Sequence, residues 1–197
     1  MEHKVKKGSA KTAYTMVVVG VTLTLLMAIA VIYFWEVVQK LEGYGYAGTF
    51  FISILGGATI IVPVPMLAVV FAMGGVLTPY WIGAAAGLGE TLGALTIYIT
   101  GYGGGTALLN SKHGKVQSAY EHMMKLMKQR GSLTLFLLAA VLNPFFYPAA
   151  LAAGALRFGI RRYFLICWIG KTIKGMTIAY AGYWGLRGLL RMMGMPV

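Results

Sequence analysis

The sequence predicts an all-α polytopic membrane protein built as an inverted repeat, each copy a re-entrant hairpin plus a transmembrane helix, with an extra N-terminal transmembrane helix. Three observations carry this. The 197 residues are 58% hydrophobic and only 11% charged, with a mean hydropathy of +0.74, against about 25% charged in a typical soluble domain. Residues 12–35 and 43–89 contain no charge, and an apolar helix needs about 20 residues to cross a bilayer. Finally, the chain matches itself at an offset of 81. That offset pairs Pro63 with Pro144, Gly89 with Gly170, Thr91 with Thr172, Gly101 with Gly182, Tyr102 with Tyr183 and Gly104 with Gly185. A fixed offset marks duplicated architecture, which many transporters share.

The whole chain reads as one membrane domain. Residues 1–48 are a tail, a helix and a connector. Residues 49–104 are the first copy, 105–129 an amphipathic linker, 130–186 the second copy and 187–197 a tail. The tail holds Lys4, Lys6, Lys7 and Lys11, which places the N-terminus in the cytoplasm by the positive-inside rule. Residues 14–35 form the first span, ending in Tyr33, Phe34 and Trp35 as an interfacial belt. Ala28-Ile29-Ala30 also resembles a signal-peptide cleavage site, so cleavage is the rival reading there. Residues 36–48 read as a polar connector.

Each hairpin is read from two short apolar arms flanking prolines. In the first copy, 49–61 and 66–77 flank Pro63 and Pro65. Arms of about 12 residues span roughly 18 Å as helix, too short to cross. Proline ends a helix by lacking a donor and clashing with the previous turn. A kinked pair of tilted helices is the plainer alternative. Residues 80–100 are a full span with Gly83, Gly87, Gly89 and Gly93 spaced for close helix approach. Residues 102–105 read as a flexible exit. Residues 112–130 read as an amphipathic helix on the cytoplasmic surface, with Val116, Tyr120, Met123 and Met127 on one face. His113 and His122 lack metal-ligand spacing. In the second copy, 132–142 and 149–156 flank Pro144 and Pro148, and 163–186 is the last span. One non-crossing hairpin and one span per copy invert the second copy in the membrane.

Glu90, Lys171 and Lys174 are charges inside apolar spans. A mid-helix charge costs about 2.5–3.5 kcal/mol to insert, so each needs something to offset it. The offset of 81 makes Glu90 and Lys171 counterparts, able to meet across a twofold. Pro65 and Pro148 suit the first turn of a helix. The return arms then begin at mid-membrane, where helix N-termini and spare lysines suit a phosphate. Asn143 is a polar group at the second tip. Arg157, Arg161 and Arg162 are headgroup-facing. An ion pair that only fixes packing, and a proton-coupled carboxylate at Glu90, are both open. The net charge of +12 points to anionic headgroups rather than nucleic acid. Membrane lipids are the expected partners, self-association is open, and no cofactor or metal is expected. No catalytic set or nucleotide loop points to an enzyme. The lone Cys167 reads as a small hydrophobe.

The Pro-broken hairpins, Gly89-Glu90-Thr91-Leu92-Gly93 with Gly101, Ala153-Gly154 after Pro148, and Gly170-Lys171 with Gly182-Tyr183 together resemble the DedA family, also called the SNARE-associated Golgi protein or VTT-domain family. The resemblance covers residues 49–185. It implies two opposed re-entrant hairpins and movement of phospholipid or polyprenyl-phosphate between leaflets, proton-coupled in some members. Many members carry an acid after the first hairpin prolines, where Met66 and Leu67 stand here. Many carry arginines around the second hairpin proline, where Val141 and Tyr147 stand. Glu90, Lys171 and Lys174 are the candidates to take those roles, Glu90 as the gating or proton-linked group and Lys171 and Lys174 as the headgroup contacts.

Overall fold

The computed structural model describes residues 42–58, 64–109 and 114–192, all of its regular structure helical. The elements are α1 (Glu42–Ala58), α2 (Val64–Val76), α3 (Pro79–Leu109), α4 (Gly114–Ala140), α5 (Phe146–Ala155) and α6 (Ile160–Met192). The predicted helix at 14–35 and Pro63 lie outside the described residues. Among those described, one helix is long and apolar enough to cross a membrane, Pro79–Gly103 within α3. The predicted last span lies in α6, whose Lys171 and Lys174 lower its mean hydropathy.

The chain doubles back at both predicted breaks. In the first half, Gly45 lies against Leu77 and Met73, and Gly56 lies against Met66, so α1 and α2 run antiparallel. The connector expected through residue 48 is instead helical from Glu42. Gly45, within that segment, is buried and gives Leu77 room. In the second half the linker and first arm form one element, α4, kinked at Arg130 (φ −141°, ψ 48°). Residues 141–145 then break the helix completely, and α5 returns. The surface placement of residues 112–130 is corrected in one respect. Met123 and Met127 are buried in a core shared with α3, α5 and α6, so protein and not lipid covers that part of the apolar face. The flexible exit at 102–105 is also corrected: α3 stays helical to Leu109, running through Gly103-Gly104-Gly105 despite their low helix propensity. Likewise α6 continues through the predicted 187–197 tail as far as Met192.

Glycines set how the helices pack. Gly83 and Gly87 of α3 face Met176 and Thr172 of α6, while Gly89 and Gly93 face Phe50, Ser53 and Ile54 of α1. The two glycine pairs therefore seat two different helices on two faces of α3. Equivalent approaches recur in the second half. Gly89 packs on α1, and Gly170, 81 residues later, packs on Ala139 and Phe136 of α4. Gly101 abuts the carbonyl of Leu151 in α5, and Gly182 abuts that of Phe71 in α2. Gly154 abuts Tyr98 Oxygen of the main chain in α3, and Gly74 abuts that of Ala179 in α6. Each return arm thus packs on the long helix of the other half. The long-helix positions pair at 81 (182 − 101 and 179 − 98), whereas the return-arm positions pair at 80 (151 − 71 and 154 − 74). The ungapped register therefore holds in the long helices and slips by one residue in the arms.

Two apolar cores result. Met66, Val70, Ile82, Ala86 and Ala179 form one, and Ala94, Tyr98, Leu135, Ala149, Tyr163 and Cys167 belong to the other. Large apolar side chains including Phe51, Leu55, Trp81, Leu137 and Trp184 remain exposed, a surface suited to lipid.

Candidate functional site

Ala86, Glu90 and Ala94 follow one another at four-residue spacing on α3, and Cys167, Lys171, Gly175 and Ala179 do so on α6. This spacing keeps each set on one helical face. Glu90 and Lys171 therefore fall between the two apolar cores, at the glycine-lined crossing of α3 and α6. Lys171 Nζ donates to Glu90 Oε1 at 2.6 Å, and Lys174 Nζ donates to the same oxygen at 2.6 Å. Lys171 and Lys174 are three residues apart and so share a face of α6. One carboxylate holds two ammonium groups.

The three members differ in access. Side-chain exposure is 1% for Lys171, 6% for Glu90 and 12% for Lys174, so Lys174 is the member nearest the surface. Lys171 Nζ also sits 3.9 Å from the centroid of the Phe146 ring, a cation–π contact. Among the described residues the other carboxylate oxygen, Glu90 Oε2, is buried without a hydrogen-bond partner, as are Ser53 Oγ and Thr172 Oγ1. Buried polar groups are rarely left unpaired. The fully charged trio carries one net positive charge.

The second hairpin reaches this trio. Phe146 opens α5 and lies under Lys171, while the neighbouring Tyr147 donates to the Gly56 carbonyl of α1 at 3.4 Å. Pro148 stands in the first turn of α5, as Pro65 does in α2. Pro144 is exposed in the tip turn. The sequence reading missed Phe146, because an aromatic beside a hairpin proline looks like any lipid-facing ring.

Other candidates lie away from the trio. Asn143 closes the tip turn: its Nδ2 donates to Leu138 and Val141 carbonyls, and its Oδ1 accepts from Phe145 N. Its amide is thus engaged locally. Arg157 follows α5 with a left-handed φ of 51° and stacks over Tyr102. Arg161 and Arg162 are exposed in the first turn of α6, with Arg162 over the Phe158 ring. Among the described residues no group of three or more His, Cys, Asp or Glu could hold a metal ion.

Neither a curated protein nor a solved structure matches this chain. The family model of the VTT domain does, over residues 62–184. The match spans α2 through most of α6 and contains Glu90, Lys171, Lys174 and the second hairpin. It covers more than half of the 197 residues, so the chain belongs to the VTT-domain family, the membrane proteins also called the DedA family.

Proposed function

We propose that this protein moves a phosphate-bearing lipid, phospholipid or polyprenyl-phosphate, between bilayer leaflets. The observation that carries the reading is the buried Glu90 carboxylate shared by two lysines, with its second oxygen unpartnered among the described residues. A structural pair needs one cation; the second adds a burial cost and an excess positive charge. An anionic headgroup passing the trio offsets that excess. Lys174, the most accessible member, is the headgroup contact. Lys171 anchors Glu90, and Glu90 is the gating or proton-linked group. The N-terminus of α5 adds a positive dipole end beside Lys171.

In this reading the two halves form an inverted repeat and the hairpins are re-entrant. The crosswise packing of each return arm on the opposite long helix supports it. The N-terminus and the 112–130 linker lie in the cytoplasm, and Arg157, Arg161 and Arg162 meet anionic headgroups there.

The test is lipid movement in proteoliposomes with fluorescent phospholipid and polyprenyl-phosphate, comparing wild type, Lys171→Ala and Lys174→Gln, with and without a pH gradient. Transport by wild type that falls in both variants supports the reading and names the lipid class. Failure of folded wild type to move either lipid under both conditions refutes it. The near-complete burial of Lys171 favours a second reading, a packing role alone. That reading predicts no transport and a loss of stability only.

A further inference from the structure

A cleft of about 870 Å³ lies where the α2–α3 turn meets the end of α6. Tyr46, Thr78, Tyr180, Tyr183 and Arg187 are among the residues lining it, and among the described residues no acid lines it. Arg187 Nε donates to the Gly75 carbonyl at 3.0 Å, and the guanidinium lies 4.3 Å from the Tyr183 ring centroid. These two contacts fix the side chain against the last turn of α2. A guanidinium has five N–H donors in a rigid fork. The Gly75 bond uses one, and among the described residues the Nη donors have no hydrogen-bond partner. A positioned guanidinium with free donors, ringed by tyrosines, fits a phosphate.

A second, apolar groove of about 480 Å³ is lined by Tyr46, Trp81, Ala84, Ala85, Leu88 and Trp168. Tyr46 lines both spaces. From Pro79 to Leu88 is nine residues (88 − 79), or about 14 Å along α3 at 1.5 Å per residue. The pair thus has the form of an anionic lipid: a polar, cationic pocket at one end and an apolar trough running from it along the helix. Free phosphate accounts for the cleft but leaves the adjoining groove without a role.

We propose that the Arg187 cleft and the Trp81–Trp168 groove together form a docking site for one phosphate-bearing lipid, its phosphate on Arg187 and an acyl chain along the groove. The site is separate from the buried trio. It rests on the transport reading only in supplying the same lipid class, and equilibrium binding tests it without transport.

The experiment uses the full chain in detergent, titrated with phosphatidate carrying brominated chains, which quench nearby tryptophan fluorescence. Brominated diacylglycerol is the neutral control. Wild type should bind the phosphate lipid at least tenfold more tightly than the neutral one. Arg187→Gln should weaken it about tenfold, equivalent to about 1.4 kcal/mol. Arg191→Gln, an exposed arginine outside the cleft, should change it less than twofold. Replacing Trp81 and Trp168 by Phe should remove most of the saturable quenching. Equal affinity for neutral lipid overturns the site, and needs no variant to observe. So does an equal loss in Arg187→Gln and Arg191→Gln, which makes the effect one of general charge. Displacement of the lipid by inorganic phosphate at matched concentration overturns the lipid assignment in favour of free phosphate.

Discussion

Glu90→Gln strands two ammonium groups at the crossing of α3 and α6. Lys171 has 1% side-chain exposure, so it cannot recover hydration without moving the helices. Removing one partner of a buried pair costs about 3–5 kcal/mol, and the upper half of that range applies here because two cations lose their acceptor. Lys171→Met is milder. Glu90 keeps Lys174 at 2.6 Å on the same oxygen, so about 2–3 kcal/mol is expected, made up of one charge-assisted bond and the Phe146 contact. Adding Lys171→Met to Glu90→Gln removes the stranded cation and should restore stability, with a coupling of about 1–3 kcal/mol favouring the double variant. Reversible unfolding in mixed micelles, followed by circular dichroism, measures all four proteins. Additive losses would sink the shared-carboxylate argument, as would a Lys171→Met loss equal to that of Glu90→Gln. The same double variant separates the two functional readings: a packing pair tolerates it, whereas transport should still be lost.

The glycine approaches give a paired prediction. A Cβ at Gly101 or Gly182 would collide with the main-chain oxygen of Leu151 or Phe71, so Gly101→Ala and Gly182→Ala should each cost about 1–3 kcal/mol as overpacking. Gly103 has nothing within 4 Å, and Gly103→Ala should stabilise by up to about 1 kcal/mol through helix propensity; thermal unfolding in detergent checks all three. Asn143→Ala removes the three hydrogen bonds that shape the tip turn and should cost about 1–3 kcal/mol in the same measurement. Cys167 is fully buried, so a maleimide should label the folded protein far more slowly than the protein in denaturing detergent, as mass spectrometry would show.

Legibility followed the range of the forces involved. The helical class, the two breaks and the Glu90–Lys171 pairing were readable because charge-free runs, prolines and a constant offset are local or periodic signals. The offset even anticipated the contact, since 171 − 90 is 81. The boundaries were less readable. Glycine has low helix propensity in isolation, so Gly45 and Gly103 read as loop; packing against Leu77 and Met73 holds Gly45 in α1, while Gly103 is helical as part of the continuous α3 with no neighbour against it among the described residues. The roles of Phe146 and Arg187 had no sequence signal at all. An aromatic ring under a lysine and a guanidinium on a helix end depend on which segments meet, and only the crosswise packing of arms on opposite helices decides that. Asn143 was legible as polar but not as a turn residue, because its three partners lie within five positions of an ordinary-looking tip.

The placement of opposite charges at Glu90 and Lys171 has a further consequence under the proposed inverted repeat. A residue near the axis relating two like halves meets its own counterpart. Were the halves identical, two carboxylates or two ammonium groups would face each other, and like charges at such distance resist joint ionisation. A fused chain escapes this, because each half can vary independently and carry the complementary charge. The pair should therefore tolerate exchange better than loss. Glu90→Lys alone puts three cations together, and Lys171→Glu alone puts two carboxylates beside Lys174. The combined exchange keeps one attractive contact across the helices and leaves Lys174 beside the relocated carboxylate, three residues along the same helix. It should unfold closer to wild type than either single variant, by at least about 1 kcal/mol. Should the exchange fare no better than the worse single change, the two positions are not equivalent in their surroundings. The duplication would then account for the backbone but not for the charges it holds.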